Sequence, residues 1–475
     1  MTNEREEGTT KIKTAEGFQL FGMFMEALMG QLFGTDGVRG VAGVELTVDL
    51  ATKIGRAAAS VLIGRGTQKP KVIIGKDTRI SCDMLESALA AGFCSVGVDV
   101  LLAGVIPTPA IAYLVRLYGC DAGVVISASH NPMEFNGIKI FNGDGYKLPD
   151  EVENKIEDLI FSEERMPTYA TGEKVGRVYE CNTAEKDYVN YLASTTNTNL
   201  EKLSVAIDCA NGAASETAKK LFAALGAKCY FIGAEPDGCN INKNCGSTHL
   251  DKLAEFVKEN KLHCGIAFDG DADRCLAVDE NGDIVDGDKM IAIFAKEMKQ
   301  SGTLKGNAAV VTVMSNLGFI EHMKENEIET AITKVGDRYV LEEMRDKGYS
   351  VGGEQSGHVI LLNYNTTGDG QLTAVKLLSV LAESGQKLSE LNGIYAQFPQ
   401  VLLNVQANEE QKLKYKNDEN LQEYIKQEND NLVGGRVLVR VSGTEPLVRV
   451  MVEGRSEAEI NACAERIVEK IKGSI

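Results

Sequence analysis

The sequence predicts an α/β protein built from three similar α/β units and a smaller α+β unit at its C-terminus. Three observations carry that expectation. Short apolar runs alternate with helix-spaced segments in the βα order that yields mostly parallel sheets. The alternation restarts twice, at Ser204 and near Lys289, and 475 residues are too many for one core. From Val401 onward the pattern loosens into strands and helices without tight βαβ spacing.

The elements follow in order. Residues 30–40 place four glycines within eleven positions and predict a loop that bends freely or approaches another group closely. Thr47 caps a helical pattern that runs to Gly64. Lys71–Gly75 reads as a strand, Lys76–Arg79 as a polar loop, Ser81–Ala91 as a helix and Val96–Val105 as the next strand. Pro107-Thr108-Pro109 breaks the chain before a helix through Leu117. The apolar run Ala122–Ile126 then delivers Ser127-Ala128-Ser129-His130-Asn131-Pro132 into a turn fixed by its Asn-Pro step. Asn136–Phe141 returns as a strand that holds Lys139 near the same sheet edge. Polar residues 161–185, with Pro167, Gly172 and Gly176, close the first unit. The second unit reads as strand Ser204–Asp208, a helix to Leu225, strand Lys228–Ile232 and strand Cys264–Phe268, which presents an acidic loop. The third has a helix near Lys289–Lys299, strand Ala308–Met314, helix Leu317–Glu325, a glycine-rich loop from Val351 to His358 and a long helix Gln371–Ser384. The last holds a strand at Val401–Val405, a charged helical stretch 409–428, strands Arg436–Val441 and Val448–Glu453, and a closing helix.

Composition narrows the function. With 44% hydrophobic and 25% charged residues the chain has the make-up of a soluble globular protein. A net charge of −18 argues against nucleic acid and anionic membrane as partners. No stretch is long and apolar enough to span a bilayer. An anionic substrate must therefore be met by locally gathered Arg and Lys. The 11 cysteines form no Cys-x-x-Cys pair, and several sit in apolar contexts, which fits buried thiols in a reducing cytoplasm. Residues 1–28 carry Glu26 inside their apolar stretch and mixed charges before it. A dispensable extension, or a start codon upstream of Met29, fits them better than a signal peptide does.

Four loops carry chemistry. In Asp269-Gly270-Asp271-Ala272-Asp273-Arg274, carboxylates at alternate positions converge on one hard cation; unpaired, they would raise one another's pKa. A catalytic Mg2+ site is expected. The alternative is an EF-hand loop, with Glu280 at the twelfth position, but Arg274 stands where the sixth demands Gly and both flanks read as strands. Ser129 sits beyond the carboxyl end of its strand, where ligands bind in such sheets. Alone it reads as a turn serine. A Ser-His hydrolase pair is disfavoured, because neighbours on a turn seldom point at each other and no Gly-x-Ser-x-Gly elbow surrounds it. Beside a metal loop and anion-binding loops, Ser129 reads as a phosphoryl carrier, since phosphoryl transfer needs positioning and charge neutralisation above all. In the third loop, Ser442, Gly443 and Thr444 offer amides and hydroxyls while Arg440 and Arg449 offer guanidiniums, as a phosphate cradle requires; a plain turn between strands is the alternative. In the glycine-rich loop, Glu354 and Ser356 suit sugar hydroxyls, and His358 suits proton transfer or a phosphate contact.

Together these loops, with Phe33–Gly40 and Thr366-Thr367-Gly368-Asp369-Gly370, resemble the α-D-phosphohexomutase superfamily over nearly the whole chain from Met29. The motifs stand in the family's order. The resemblance implies three α/β domains with mixed sheets and a C-terminal α+β domain around a central cleft. It sets their bounds at 29–180, 181–283, 284–395 and 396–475, with 1–28 outside the fold. It implies that Ser129, beside His130, carries the phosphoryl group, and that Ser129, Asp269, Asp271 and Asp273 hold one Mg2+ per subunit. Glu354 and Ser356 would bind the sugar. Arg440, Ser442, Gly443, Thr444 and Arg449 would bind its phosphate. Arg39, Lys139, Arg274 and His358 would contact phosphate or move protons. Gln355, where sugar-phosphate mutases of the mannose and glucose type more usually have Met, points to the bacterial members that act on glucosamine phosphates. The implied reaction interconverts the 6- and 1-phosphates of a hexosamine through a 1,6-bisphosphate, on the way to UDP-N-acetylglucosamine and the cell wall. A cytoplasmic enzyme is implied, and members of that subgroup are often homodimers. Cys82 stands where the family commonly has Gly, and Val441 where it has Pro; neither removes a ligand. The nearest rival is a mutase of mannose or glucose phosphates with the same mechanism, and two further rival readings remain at this level, a silent sugar-phosphate binder and a metal-dependent phosphatase. The intact serine and aspartates speak against the silent binder, and steady phosphate release would mark the phosphatase.

Overall fold

The apolar runs form strands, but the first sheet is evenly mixed rather than mostly parallel. The computed structural model describes residues 32–34, 36–63, 69–442 and 446–475, so the extension 1–28 lies outside the described residues. The first sheet contains β1 (Phe33–Gly34), β2 (Gly37–Val41), β3 (Lys71–Lys76), β4 (Asp99–Val105), β5 (Ala122–Ile126), β6 (Phe135–Asn142) and β7 (Val178–Glu180), in the order β1-β2-β6-β5-β3-β4-β7. Strands β5, β3, β4 and β7 run parallel. The pairings β1–β2, β2–β6 and β6–β5 are antiparallel, because the segment between β5 and β6 is too short to hold a crossover helix. The glycine-rich stretch expected as a loop instead supplies β1 and β2. Gly37, at φ 81°, makes the turn between them, and β2 pairs with β6 with Arg39 opposite Gly137.

The second sheet holds β8 (Ser204–Asp208), β9 (Lys228–Ile232), β10 (Cys264–Phe268), β11 (Cys275–Asp279) and β12 (Ile284–Val285), ordered β12-β11-β10-β8-β9. Its β10–β11 hairpin closes with Phe268 opposite Cys275, which puts the three aspartates at the hairpin tip. A third sheet, with β13 (Ala308–Thr312), β14 (Glu329–Thr333), β15 (Val351–Gly353) and β16 (Val359–Leu361), runs β14-β13-β15-β16. Its β15–β16 hairpin pairs Gly353 with Val359 and so carries Glu354–His358 at its tip. The fourth is antiparallel, with β17 (Gln400–Gln406), β18 (Arg436–Val441) and β19 (Leu447–Glu453) in the order β17-β19-β18.

Helices form where caps and apolar stripes coincide. Thr47 accepts from Leu50 N to start helix Val48–Leu62, and Asp369 accepts from Leu372 N to start Gly370–Ser384. Val72, Ile74, Val124 and Ile126 pack in one core with Ile54, Leu89 and Phe93. Helices Asp150–Phe161, Ala184–Ser194 and Asp337–Lys347 are absent from the sequence reading because their apolar faces are narrow; the last buries only Val340, Leu341 and Met344. The charged stretch 409–428 is two helices, Glu409–Asn417 and Glu419–Asn431, divided at Asp418, which caps the second.

The chain divides into two compact units, one formed by residues up to Thr312 with Ala331–Asn392, the other by Val313–Thr330 with Gly393–Ile475. The second has its own core of Val448, Val450 and Val452 against Ile460, Ala464 and Ile467. All eleven cysteines are free thiols. Among the described residues no helix is long and apolar enough to cross a membrane.

Candidate active site

The site of the first unit is built on three loops that follow β5, β10 and β15. After β5 the chain turns sharply at Ser129, which takes a left-handed backbone conformation (φ 52°) and is 1% exposed. Ser127 steadies the turn: its Oγ accepts from Ser129 N (2.9 Å) and donates to Asp77 Oδ2 (2.6 Å). The outcome is that Ser129 Oγ donates to Asp269 Oδ2 at 2.6 Å, across from the next sheet. It also lies 3.3 Å from His130 Nδ1. That corrects the expectation that the Ser-His neighbours point apart. The left-handed turn swings both side chains to one side, where an ordinary turn would not.

Asp269, Asp271 and Asp273 are all at least 96% buried, and one carboxylate oxygen from each falls within 4.8 Å of the others. Burial first, and then the Asp273 and Asp271 charges, push the Asp269 carboxyl well above its ordinary pKa. Asp273 departs from the expected mutual elevation. Burial raises it too, but the Lys139 ammonium, followed by His358, outweighs burial and holds it well below the carboxylate range. Lys139, 1% exposed, reaches Asp271 Oδ2 (2.8 Å), Asp36 Oδ2 (2.9 Å) and Asp273 Oδ2 (3.5 Å). Asp271 Oδ1 and Asp273 Oδ1 are buried without a hydrogen-bond partner among the described residues. An all-oxygen donor set with two orphaned buried atoms fits a hard divalent cation. The EF-hand alternative fails: β10 and β11 form a hairpin, and the Glu280 carboxylate accepts instead from Ser389 N (3.1 Å) and Oγ (2.6 Å).

Of the other predicted residues of this unit, His130, Arg274 and His358 lie beside that cluster, and Glu354 and Ser356 sit on the β15–β16 hairpin tip. Burial, then the Arg274 and Arg39 charges, lower the His130 pKa to about 4, so the ring is neutral near pH 7. His358 Nδ1 faces Asp273 Oδ2 at 3.7 Å, and Gly368 N donates to its Nε2 (3.2 Å), which places the ring proton on Nδ1. Burial opposes protonation of His358, but Asp273 and then Asp337 outweigh it and raise its pKa. Glu354 Oε1 accepts from Gly336 N (3.1 Å), and Ser356 Oγ is buried without a partner among the described residues. Arg274 feels the charges of Asp273, Asp269 and Glu354.

Three residues of this site escape the sequence reading: Asp36, Lys147 and Asp337. They complete a ring of groups in which Asp273 joins Lys139, Lys139 joins Asp36, Asp36 joins Lys147 and Lys147 joins Asp337, and the His358 imidazole closes it by lying between Asp273 and Asp337. Arg39 pairs with Asp36 from outside the ring. Each missed residue lies within two positions of a left-handed glycine, Gly37, Gly145 or Gly336, but such glycines recur along the whole chain and do not single these three out.

In the second unit, Arg440 on β18 and Arg449 on β19 are direct cross-strand partners, and Ser442 directly follows β18. The predicted ligands Gly443 and Thr444 lie outside the described residues.

Family models for the phosphoglucomutase/phosphomannomutase α/β/α domains I, II and III match residues 30–166, 186–282 and 286–398, and the model for the C-terminal domain of the same family matches 402–470. A phosphoglucosamine mutase of Clostridium botulinum is 54% identical over 449 residues, covering 94% of this chain and 100% of the relative. One from Ruminiclostridium cellulolyticum is 55% identical over the same shares. Among solved structures, a phosphoglucomutase/phosphomannomutase family protein of Burkholderia thailandensis superposes with a TM-score of 0.79 at 26% identity, over 93% of this chain and 97% of that one. An Aspergillus fumigatus N-acetylphosphoglucosamine mutase, solved with GlcNAc-6P and magnesium, shares the fold at a TM-score of 0.66 and 18% identity, over 93% and 96% of the two chains.

Proposed function

Because the chain belongs to the phosphoglucomutase/phosphomannomutase family, we propose that it interconverts glucosamine 6-phosphate and glucosamine 1-phosphate through a phosphoserine at Ser129. It is an isomerase, an intramolecular phosphotransferase. The observation that carries the reading is the 2.6 Å approach of Ser129 Oγ to Asp269, one of three buried aspartates on a separate hairpin.

In this account the phosphoryl group on Ser129 Oγ passes to the free hydroxyl of the sugar phosphate. The serine P–O bond breaks, a sugar P–O bond forms, the hydroxyl proton leaves and Oγ ends protonated. The 1,6-bisphosphate turns round, and Oγ takes back the other phosphoryl group. Ser129, Asp269, Asp271 and Asp273 would hold one Mg2+, which when bound neutralises phosphate charge and polarises the P–O bond. His130, neutral and 3.3 Å from Oγ, offers Nδ1 as an acceptor for the serine proton. Lys139, Arg39 and Arg274 balance the charge of about −1.5 to −2 that a phosphoserine brings. His358 holds a proton on Nδ1 at the inner edge of the charge ring. Glu354 and Ser356 would bind sugar hydroxyls. Arg440, Ser442, Gly443, Thr444 and Arg449 would bind the substrate's distal phosphate. The direct opposition of Arg440 and Arg449 supports this, since cross-strand partners share one face of the sheet and so bring two guanidiniums together. Domains at 29–180, 181–283, 284–395 and 396–475, a homodimer and a cytoplasmic setting belong to the same proposal.

The names of the relatives favour the amino sugar over mannose or glucose phosphates. A coupled assay on glucosamine 6-phosphate, mannose 6-phosphate and glucose 6-phosphate tests that preference. The account expects the highest kcat/KM on the amino sugar, and a higher value on either neutral sugar would overturn it.

A further inference from the structure

The backbone of the Ser129 turn is gripped from two sides by groups that no part of the reaction above uses. On one side lies Arg79, in the loop after β3 and 2% exposed. Its Nη2 donates to Ser129 O (3.0 Å) and Asn131 O (2.8 Å), and its Nη1 donates to Pro132 O. On the other side Asn242, 7% exposed and from the loop between β9 and β10, donates through Nδ2 to the same two carbonyls, Ser129 O at 2.8 Å and Asn131 O at 3.0 Å. Two carbonyls on one turn therefore each receive two donors, one from the serine's own sheet and one from the sheet that carries the aspartates.

We propose that Arg79 and Asn242 are positioning residues that lock the left-handed turn at Ser129 and set Oγ against the aspartate cluster for both phosphoryl transfers. The inference rests on the reading of Ser129 as the phosphoryl carrier. A serine at positive φ is strained and relaxes unless its surroundings over-determine it. The load on this turn also changes during turnover, because Oγ alternates between a hydroxyl and a phosphate of about −1.5 to −2. A fork of planar donors resists that change in a way one hydrogen bond does not. Arg79 is itself fixed, since its Nε donates to Asp77 Oδ2 (2.9 Å), and Asp77 also accepts from Ser127 Oγ and from Cys82 Sγ (3.2 Å). Cys82, the departure from the family's Gly, thus fills a place in the support behind the turn. Asn242 too has positive φ (59°), a backbone conformation that Asn adopts more readily than most residues.

The test compares the full-length wild type with Asn242→Asp, Asn242→Gly and Arg79→Lys. Asn242→Asp keeps size and backbone preference but replaces the donor with an acceptor. Asn242→Gly removes the side chain and keeps the left-handed backbone. Arg79→Lys keeps the charge and loses the fork. Circular dichroism establishes folding, and peptide mass spectrometry measures phosphate on Ser129. Rapid-quench single turnovers then follow transfer to glucosamine 6-phosphate and loss to water. A displaced Oγ predicts a fall in kcat of about tenfold or more, with KM little changed and a larger share of phosphate lost to water. A merely structural role would lower melting temperature without altering that partition. Folded Asn242 variants with wild-type transfer rate and partition overturn the inference, whatever Arg79→Lys does to folding. Phosphate absent from Ser129 in the active wild type overturns the carrier reading and this inference with it. Phosphate present, with all folded variants unaltered, overturns the inference alone.

Discussion

Gly270 offers the cleanest single perturbation of the contact between the serine turn and the acidic hairpin. It lies between Asp269 and Asp271, and its φ is not in the left-handed region, so alanine suits its backbone. The obstacle is steric. A Cβ there would stand 2.5 Å from Ser129 O, 2.8 Å from Asn242 Nδ2 and 2.9 Å from Ile241 Cδ1, where ordinary contact begins at 3.4 Å. The shortfall against Ser129 O, from 3.4 Å to 2.5 Å, is about 0.9 Å, and the nearest atom is backbone that cannot rotate away. Gly270→Ala must therefore push the serine turn and the aspartates apart by nearly that amount. A misplacement of about 1 Å at a reacting centre costs about 10²-fold, or about 2.7 kcal/mol of transition-state stabilisation. A coupled assay with glucosamine 6-phosphate and a magnesium titration would read this as a fall in kcat of that order, with KM little changed. The magnesium concentration needed for half activity should rise as well, because the Ser129–Asp269 approach widens. A folded Gly270→Ala enzyme with wild-type kcat would refute the claim that these loops must meet at this distance.

Two further outcomes concern side chains behind the site. Thr108 Oγ1 donates to Asp271 Oδ2 at 2.6 Å, so Thr108→Val removes a group that orients a proposed metal ligand without changing its size much. Magnesium activation should shift to concentrations about 10- to 100-fold higher, and an unshifted activation curve would exclude this role for Thr108. Asp369, which caps a helix and accepts from Tyr188 and Asn365, has its pKa raised to about 6, chiefly by burial. A carboxyl raised in the folded state gains stability as pH falls through that value and loses it as pH rises. Relative to Asp369→Asn, the wild type should gain about 1 kcal/mol of stability between about pH 7 and about pH 5. Parallel pH dependences in denaturant melts of the two proteins would contradict this.

Much of the fold was legible because apolar runs and loop chemistry agree locally. Ala122–Ile126 and Cys264–Phe268 are buried on both faces, and each reads from sequence as the strand it is. What failed depended on partners far away in the chain. The stretch Gly37–Val41 has too few side chains to show a strand period, and it becomes a strand only because β6 offers a ladder. The direction of β6 likewise depends on a connection length whose meaning appears only with the sheet in place. At the site, the aspartates, Ser129 and Lys139 could be named from local pattern. The ring through Asp36, Lys147 and Asp337 could not, since its members are separated by 111 and 190 residues. Nor could the facing of Ser129 and His130, which depends on a strained turn held by Arg79 and Asn242. Local chemistry was readable; long-range juxtaposition was not.

The central claim is that Ser129 carries the phosphoryl group. One portion of protein loaded with labelled phosphate should be digested and mapped by mass spectrometry, and a second, intact portion mixed with unlabelled glucosamine 6-phosphate and magnesium for a single turnover. The account predicts label on the Ser129 peptide, its transfer to the sugar on mixing, and no label and no mutase activity in Ser129→Ala. Label on another residue, or an active Ser129→Ala enzyme, would contradict it.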